Sequence, residues 1–269
     1  MHLDAPPDHP CSPLAAILCG YEKSGTTLLN EILRRHPALD SGFEVGALLA
    51  DSPRDFRRIQ PYFAFFRSTW KLTCEDISYI CDTDDWGEFY RRSRERSPVI
   101  ADKSSLVFDK TPIYMRHLCQ VLDRVPGIPC IVNVRDPRAL MLSWARWSGQ
   151  TADPATWIEE NFASNVERFT SYAEGYRGAL GRHGERILLN RFEKFCMEPV
   201  AGARRIFRFL GLPFAEEYLT FSSEHFVYGN TVSTKYVAPY IDTLPGALCE
   251  RILAATSDYA EWHYTPPGD

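Results

Sequence analysis

Short apolar runs alternate along this chain with longer stretches in which apolar residues recur at helical spacing. The run "LAAILCG" (14–20) is continuously apolar and closes on glycine, the pattern of a parallel strand buried on both faces. In "TTLLNEILRRHP" (26–37), Leu28, Leu29, Ile32 and Leu33 share one helical face until Pro37 stops the pattern. Further strands are expected in "IPCIVNVR" (128–135) and "RILLNR" (186–191), with weaker ones in "ALDSGFE" (38–44) and in "PVIADK" and "LVFDK" between 98 and 110. Helical spacing fills about 112–124, 137–148, 154–180 and 199–210. Asp136-Pro137 and Asp153-Pro154 each place a capping carboxylate before a proline at a first helical position. Strands alternating with helices predict an α/β fold, a three-layer, doubly wound parallel sheet.

Residues 51–97 break that alternation. Phe56, Tyr62, Phe63, Phe65, Phe66, Trp70 and Trp86 stand there among arginines, which reads as an inserted helical cap. Phe63, Phe66 and Trp70, at helical spacing, would either pack the cap onto the sheet or line a pocket. Residues 1–13 carry four prolines and are expected to be a flexible leader to a single domain over 14–269.

With 45% hydrophobic and 24% charged residues in 269, the composition is that of a folded globule. A net charge of −5 speaks against nucleic acid as a partner, so any anion site must be built locally. No apolar run reaches the roughly 18 residues of a membrane span, and the first residues lack a signal-peptide layout; a cytoplasmic location is the expectation. Eight dispersed cysteines without a C-x-x-C pair read as buried thiols, and no metal site is expected.

The loop between the first strand and helix, "GYEKSGTTLL" (20–29), has the glycines of a phosphate loop, but Thr26 stands where the lysine belongs and Lys23 lies inside the loop. In a parallel sheet the ligand crevice lies outside the carboxyl ends of the strands, and those ends carry Lys23, Glu44, Lys110 and Arg135. Glycine-exposed amides, the helix start and the Thr26 and Thr27 hydroxyls suit an oxyanion. The displaced lysine weakens a kinase or NTPase reading, which predicts magnesium-dependent ATP binding.

"YEKSGTTLL" resembles the 5′-phosphosulfate loop of sulfotransferases that use 3′-phosphoadenosine 5′-phosphosulfate (PAPS), and "VNVRDPRALMLSW" (132–144) resembles their 3′-phosphate motif. "RILLNRFEKF" and "ARRIFRFLGLPF" are similar to the family's downstream helices, so the likeness covers about 14–214. It implies the P-loop NTPase-like sulfotransferase fold with an acceptor-side insert. Lys23, Ser24, Gly25, Thr26 and Thr27 would cradle the 5′ side, and Arg135 with Ser143 the 3′-phosphate. "LRRHPALDSGFE" resembles the Golgi and tyrosylprotein members and carries their catalytic glutamate onto Glu44; Lys110 in "DKTP" matches the lysine near the leaving phosphate. Ser233 and Lys235 in "TVSTK" resemble a late loop that closes over the nucleotide. Asp102 and Asp109 are rival bases, Arg138 would lie near the ribose or in solvent, and His36 would close a helix. Glu44 could instead pair with Arg34 or Arg35, Arg135 with Asp136, and Trp144 and Trp147 are expected in the core. The resemblance implies transfer of a sulfuryl group from PAPS, without metal, to a hydroxyl or secondarily an amine of a small-molecule, sugar, lipid or peptide acceptor. A nucleotide binder without turnover is the rival from another class.

Overall fold

The computed structural model describes residues 12–149, 152–220 and 232–265. Five strands, β1 (Leu14–Gly20), β2 (Leu39–Asp40), β3 (Leu106–Lys110), β4 (Cys130–Val134) and β5 (Ile187–Arg191), pair in parallel in the order β2-β3-β1-β4-β5. On the central β1, Ile17 and Cys19 enter one core and Ala16 and Leu18 the other. Both faces of the sheet are therefore covered, which is why this strand reads as an unbroken apolar run. The α/β doubly wound expectation holds.

Helix α1 (Thr26–Arg34) follows β1 and buries Leu28, Leu29, Ile32 and Leu33, as their spacing predicts. Three expected elements differ. The segment 38–44 keeps only two residues in the sheet, because the Ser41 hydroxyl donates to the Phe108 carbonyl at 2.7 Å and draws the chain out of the ladder. Residues 98–103 form no strand; Lys103 donates to the Ser97 and Ile100 carbonyls and folds the segment into a turn. The helix expected over 154–180 divides at Asn161, whose side-chain amide donates to the Trp157 carbonyl at 2.9 Å.

The insert contains a 3₁₀ turn at Pro53–Arg58 and three short helices, α2 (Tyr62–Thr69), α3 (Cys74–Cys81) and α4 (Trp86–Arg96). Thr73 and Asp76 form a reciprocal capping box at the start of α3. Phe66 and Trp70 are buried, their ring centroids 5.2 Å apart, and Phe66 also meets Phe56 at 5.6 Å and Phe89 at 5.7 Å. Those positions pack the insert, each buried ring stabilising it by about 1.5–3 kcal/mol. Phe65, next to Phe66 in sequence, points out and is 41% exposed.

Beyond β3, a 3₁₀ turn (Pro112–His117) leads into α5 (Leu118–Arg124). After β4 come α6 (Pro137–Trp147), α7 (Pro154–Glu160) and α8 (Phe162–His183). α9 (Phe192–Met197), α10 (Pro199–Phe209) and α11 (Gly246–Ala255) complete the described helices. The Asp136 and Asp153 carboxylates cap α6 and α7 as expected. Trp144 is buried, but Trp147 is not a core residue: it ends α6 at the surface, 63% exposed. Of the expected leader only residues 12 and 13 are described, and residue 231 of the late loop also lies outside the described residues. Among the described residues no helix is long and apolar enough to cross a membrane.

Candidate active site

Two glycines shape the first loop. Gly20 has φ +150°, and a Cβ there would lie 2.1 Å from the Asn133 carbonyl oxygen, so the carboxyl ends of β1 and β4 approach only without a side chain. Gly25 has φ +96°, caps α1 from the left-handed region, and leaves no room for a Cβ against Phe192, 2.4 Å away. The start of α1 has no capping side chain and no acidic residue in its first turn. Its positive end is thus uncompensated.

Ser24 is fully buried, and its hydroxyl donates to the Tyr21 carbonyl at 2.8 Å. Asn133 on β4 donates to the Ser24 carbonyl at 2.6 Å, and Asn190 on β5 donates to Asn133 at 2.7 Å. Sequence reading did not single out these two asparagines; their only signal is a buried amide inside an apolar strand. They stitch three adjacent strand ends beneath the loop. Thr26 is buried and Thr27 exposed.

Lys23 lies at φ +71° with its ammonium 4.7 Å from the Trp147 ring centroid. Burial lowers its pKa, while Glu44 and Glu22 raise it and Lys110 and Arg168 lower it further. Those interactions place five charges around one space. Lys110, 2% exposed, puts Nζ 3.0 Å from Glu44 Oε1 and 4.4 Å from the Phe43 ring centroid. Glu44 therefore pairs with Lys110; Arg34 turns instead to Glu31 and Asp40.

The chain after Glu44 is held from below. Thr111 Oγ1 accepts from the Val45 and Gly46 amides, each at 3.1 Å, and donates to Asp109 at 2.7 Å. The same Asp109 accepts from Tyr90 at 2.6 Å and Tyr114 at 2.8 Å. Desolvation raises its pKa to about 6 against those hydrogen bonds. Fully buried and bonded to three hydroxyls, Asp109 is an anchor rather than an accessible base. Asp102 is exposed and holds the Ser104 amide and hydroxyl.

At the next strand end Arg135 is 7% exposed and its Nη1 lies 2.9 Å from the Lys23 carbonyl and 3.3 Å from Ser143 Oγ. Nη2 donates to the Tyr236 carbonyl at 2.5 Å, and the guanidinium stacks 4.5 Å from the Phe192 ring centroid. The pairing with Asp136 belongs to Arg138, which also donates to the Tyr264 carbonyl, so Arg138 lies neither in solvent nor unattached. Ser233 Oγ accepts from the Lys235 amide at 3.3 Å, and Lys235 Nζ sits 4.8 Å over Tyr236. The late loop thus reaches Arg135 through a backbone carbonyl that no side-chain motif announces. His36 is buried and accepts from the Ala38 amide beyond α1.

Glu22, also missed from sequence, accepts from Tyr172 at 2.5 Å and pairs with Arg168 at 3.2 Å. Burial, with Glu44 and Glu22 adding, pushes the Tyr62 phenol up, so it stays protonated. Elsewhere, Cys119, Asp123 and His183 bring ligand atoms within 4.8 Å of one another. Arg186 donates to His183 Nδ1 at 3.1 Å, which leaves the proton on Nε2 for Asp123, 2.9 Å away; this is a hydrogen-bonded pair between α5 and α8.

A family model described as the sulfotransferase family matches residues 15–216, and the chain belongs to that family. It is a transferase of sulfuryl groups. The match contains the first loop, Glu44, Lys110, Arg135 and Ser143, whereas Ser233 and Lys235 fall beyond it. Among solved structures, the sulfotransferase domain of the Synechococcus PCC 7002 olefin synthase is similar at TM-score 0.65 and 22% identity, over 97% of this chain and 98% of that one. The sulfotransferase domain from the curacin biosynthetic pathway gives 0.61 and 16% over 96% and 100%, and sulfotransferase STF9 from Mycobacterium avium 0.52 and 14% over 94% and 77%. At these identities the likeness is one of fold. No curated protein matches the sequence.

Proposed function

We propose that the enzyme takes its sulfuryl group from PAPS, the donor its family uses, and that Glu44 serves as base toward an acceptor hydroxyl. One observation carries the reading: the Arg135 guanidinium meets both Ser143 Oγ and the Lys23 carbonyl of the first loop through Nη1. In this reading Arg135 and Ser143 form a second anion pocket beside the first loop, as a nucleotide bearing both 3′ and 5′ anionic groups requires. The donor set fits such a molecule: uncapped amides at the start of α1, hydroxyls of Thr26 and Thr27, and the cations Lys23, Lys110 and Arg135. Ser24 contributes its backbone, since its hydroxyl is spent on Tyr21. A 3′-phosphate would accept from Arg135 Nη2 in place of the Tyr236 carbonyl and from Ser143, with Ser233 and Lys235 at the rim.

PAPS supplies a sulfuryl group on a phosphate leaving group. Lys110 and Lys23 stabilise the charge that grows on the leaving phosphate oxygen, and the helix end adds to them without a metal in the reading. Glu44 holds its carboxylate beside Lys110 and takes the acceptor's proton. Residues 14–269 act as one catalytic unit, the insert closing its acceptor side.

Calorimetric titration with adenosine 3′,5′-bisphosphate and with ADP tests the donor. Tighter binding of the bisphosphate, lost in Arg135→Ala, is expected; equal affinity for the two nucleotides overturns the assignment.

A further inference from the structure

Four successive carbonyls of the first loop are tied to groups around it. Tyr21 O accepts from the Ser24 amide and hydroxyl, Glu22 O from Trp144 Nε1 at 2.9 Å, Lys23 O from Arg135, and Ser24 O from Asn133. Two of these ties flank Lys23, which holds a left-handed φ of +71° without being glycine. Such a conformation costs on the order of 1–3 kcal/mol and persists only where its surroundings fix it. On one side of Lys23 the fixing group is Arg135. On the other, everything runs through Glu22.

Glu22 is gripped at both its ends. Trp144 holds its carbonyl, and Arg168 stacks on that indole at 4.4 Å while its Nη2 lies 3.2 Å from Glu22 Oε2. Tyr172, one turn further along α8, donates to Oε1 at 2.5 Å. Oε2 is withdrawn from solvent, so the carboxylate is committed to α8 and not to a ligand. The same helix takes the preceding residue: Tyr21 donates to the Phe169 carbonyl at 3.0 Å and stacks on the Phe169 ring at 4.9 Å. In the reading above, on which this inference rests, Lys23 meets the 5′ side of the donor. We propose that Glu22 is a positioning residue for Lys23, its carboxylate clamped by Arg168 and Tyr172 so that the peptide carrying the lysine is held in the left-handed turn. Charge alone works the other way. A carboxylate next to an anion-binding lysine repels the anion, so its removal without any loss of positioning would tighten binding. The sign of the effect therefore separates the two roles.

The test is calorimetry of the full chain with adenosine 3′,5′-bisphosphate and with adenosine 3′-monophosphate, which lacks the 5′ group. Glu22→Ala should weaken the bisphosphate about 10-fold and leave the monophosphate within about twofold. Glu22→Gln keeps the length and an oxygen for Tyr172, and should stay within about threefold of the wild type. Added to Lys23→Ala, Glu22→Ala should weaken the bisphosphate no further, because a residue that acts only through the lysine has nothing left to position. Should Glu22→Ala fail to fold, Tyr172→Phe removes only the hydroxyl on Oε1 and should show the same selective loss at about threefold. Unchanged or tighter bisphosphate binding, equal weakening of both nucleotides, or a loss that adds in full to that of Lys23→Ala overturns this inference alone. Bisphosphate affinity unchanged in Lys23→Ala brings down the donor role of the lysine and this inference with it.

Discussion

The edge proposed to hold the donor and the side proposed to face the acceptor are built differently. At the donor edge the loop is fixed by its own neighbours in sequence and by the ends of adjacent strands: Gly20 against Asn133, Ser24 against Tyr21, Asn133 against Asn190. On the acceptor side the decisive contacts join segments far apart in the chain, with Glu44 meeting Lys110, Glu22 meeting Tyr172 and Thr111 holding the amides after Glu44. A loop seated on the ends of regular strands leaves a motif, whereas contacts made by irregular segments leave scattered single residues. The first kind can be shared by every enzyme that uses one donor, and the second kind is free to change with the acceptor.

The sharpest way to separate the two sides is Glu44→Gln. It keeps the shape and removes the proposed base, so kcat should fall by about 100- to 10,000-fold. Affinity for adenosine 3′,5′-bisphosphate should stay within about twofold by calorimetry. An unchanged kcat removes Glu44 as base; a lost nucleotide site would mean the two sides are one.

Thr111→Val probes the same residue indirectly. It leaves the Val45 and Gly46 amides without their acceptor, which costs about 1–3 kcal/mol in denaturant unfolding. Misplacing Glu44 by about an ångström should lower kcat about 100-fold, with nucleotide affinity kept. Thr111→Ser retains the oxygen and should restore most of the rate; a merely structural role would lower stability in the valine variant and leave kcat of its folded fraction intact.

On the donor side Arg135→Ala removes a guanidinium shared by Lys23, Ser143 and Tyr236. Loss of charge-assisted bonds to a phosphate should weaken adenosine 3′,5′-bisphosphate about 10- to 100-fold and leave ADP nearly unchanged. Equal weakening of both nucleotides would assign Arg135 to the loop instead of a second pocket.

How far the sequence reveals this molecule follows the same division. The buried strand 14–20, the amphipathic first helix and the eight-residue step from Arg135 to Ser143 are local periodicities, and the structure keeps each. The charges at strand ends were legible because a parallel sheet brings them to one edge. Illegible were the floor asparagines 133 and 190, the Tyr236 carbonyl, and the outward turn of Trp147, which helical period alone assigns to the core. Within the insert, spacing grouped Phe63, Phe66 and Trp70, yet the ring the surface keeps is Phe65. Pattern shows which residues share a face; only the packing partner decides whether that face is covered.

The smallest expected effect concerns pH and comes from the anchors beneath each side. Asp109, under the Glu44 segment, is raised by burial from 3.8 to about 6, and Glu193, which accepts from the Asp136 amide at 2.9 Å near Arg135, from 4.5 to about 7. A carboxyl whose folded pKa exceeds its unfolded one binds its proton more tightly in the native state. Its contribution is therefore full below the unfolded value and lost as pH rises toward the folded value. Between pH 4 and 6 Asp109 should cost the wild type on the order of 2 kcal/mol that Asp109→Asn does not lose, so the variant's deficit in urea unfolding shrinks across that window. Glu193→Gln should do the same between about pH 4.5 and 7. The two windows overlap but end a unit apart, so the difference curves distinguish the acceptor-side anchor from the donor-side one; a deficit constant from pH 4 to 7 in both variants would mean neither carboxyl is shifted. Catalysis should follow only the first, since Asp109 reaches Glu44 through Thr111 whereas Glu193 bears on the pocket proposed for the nucleotide.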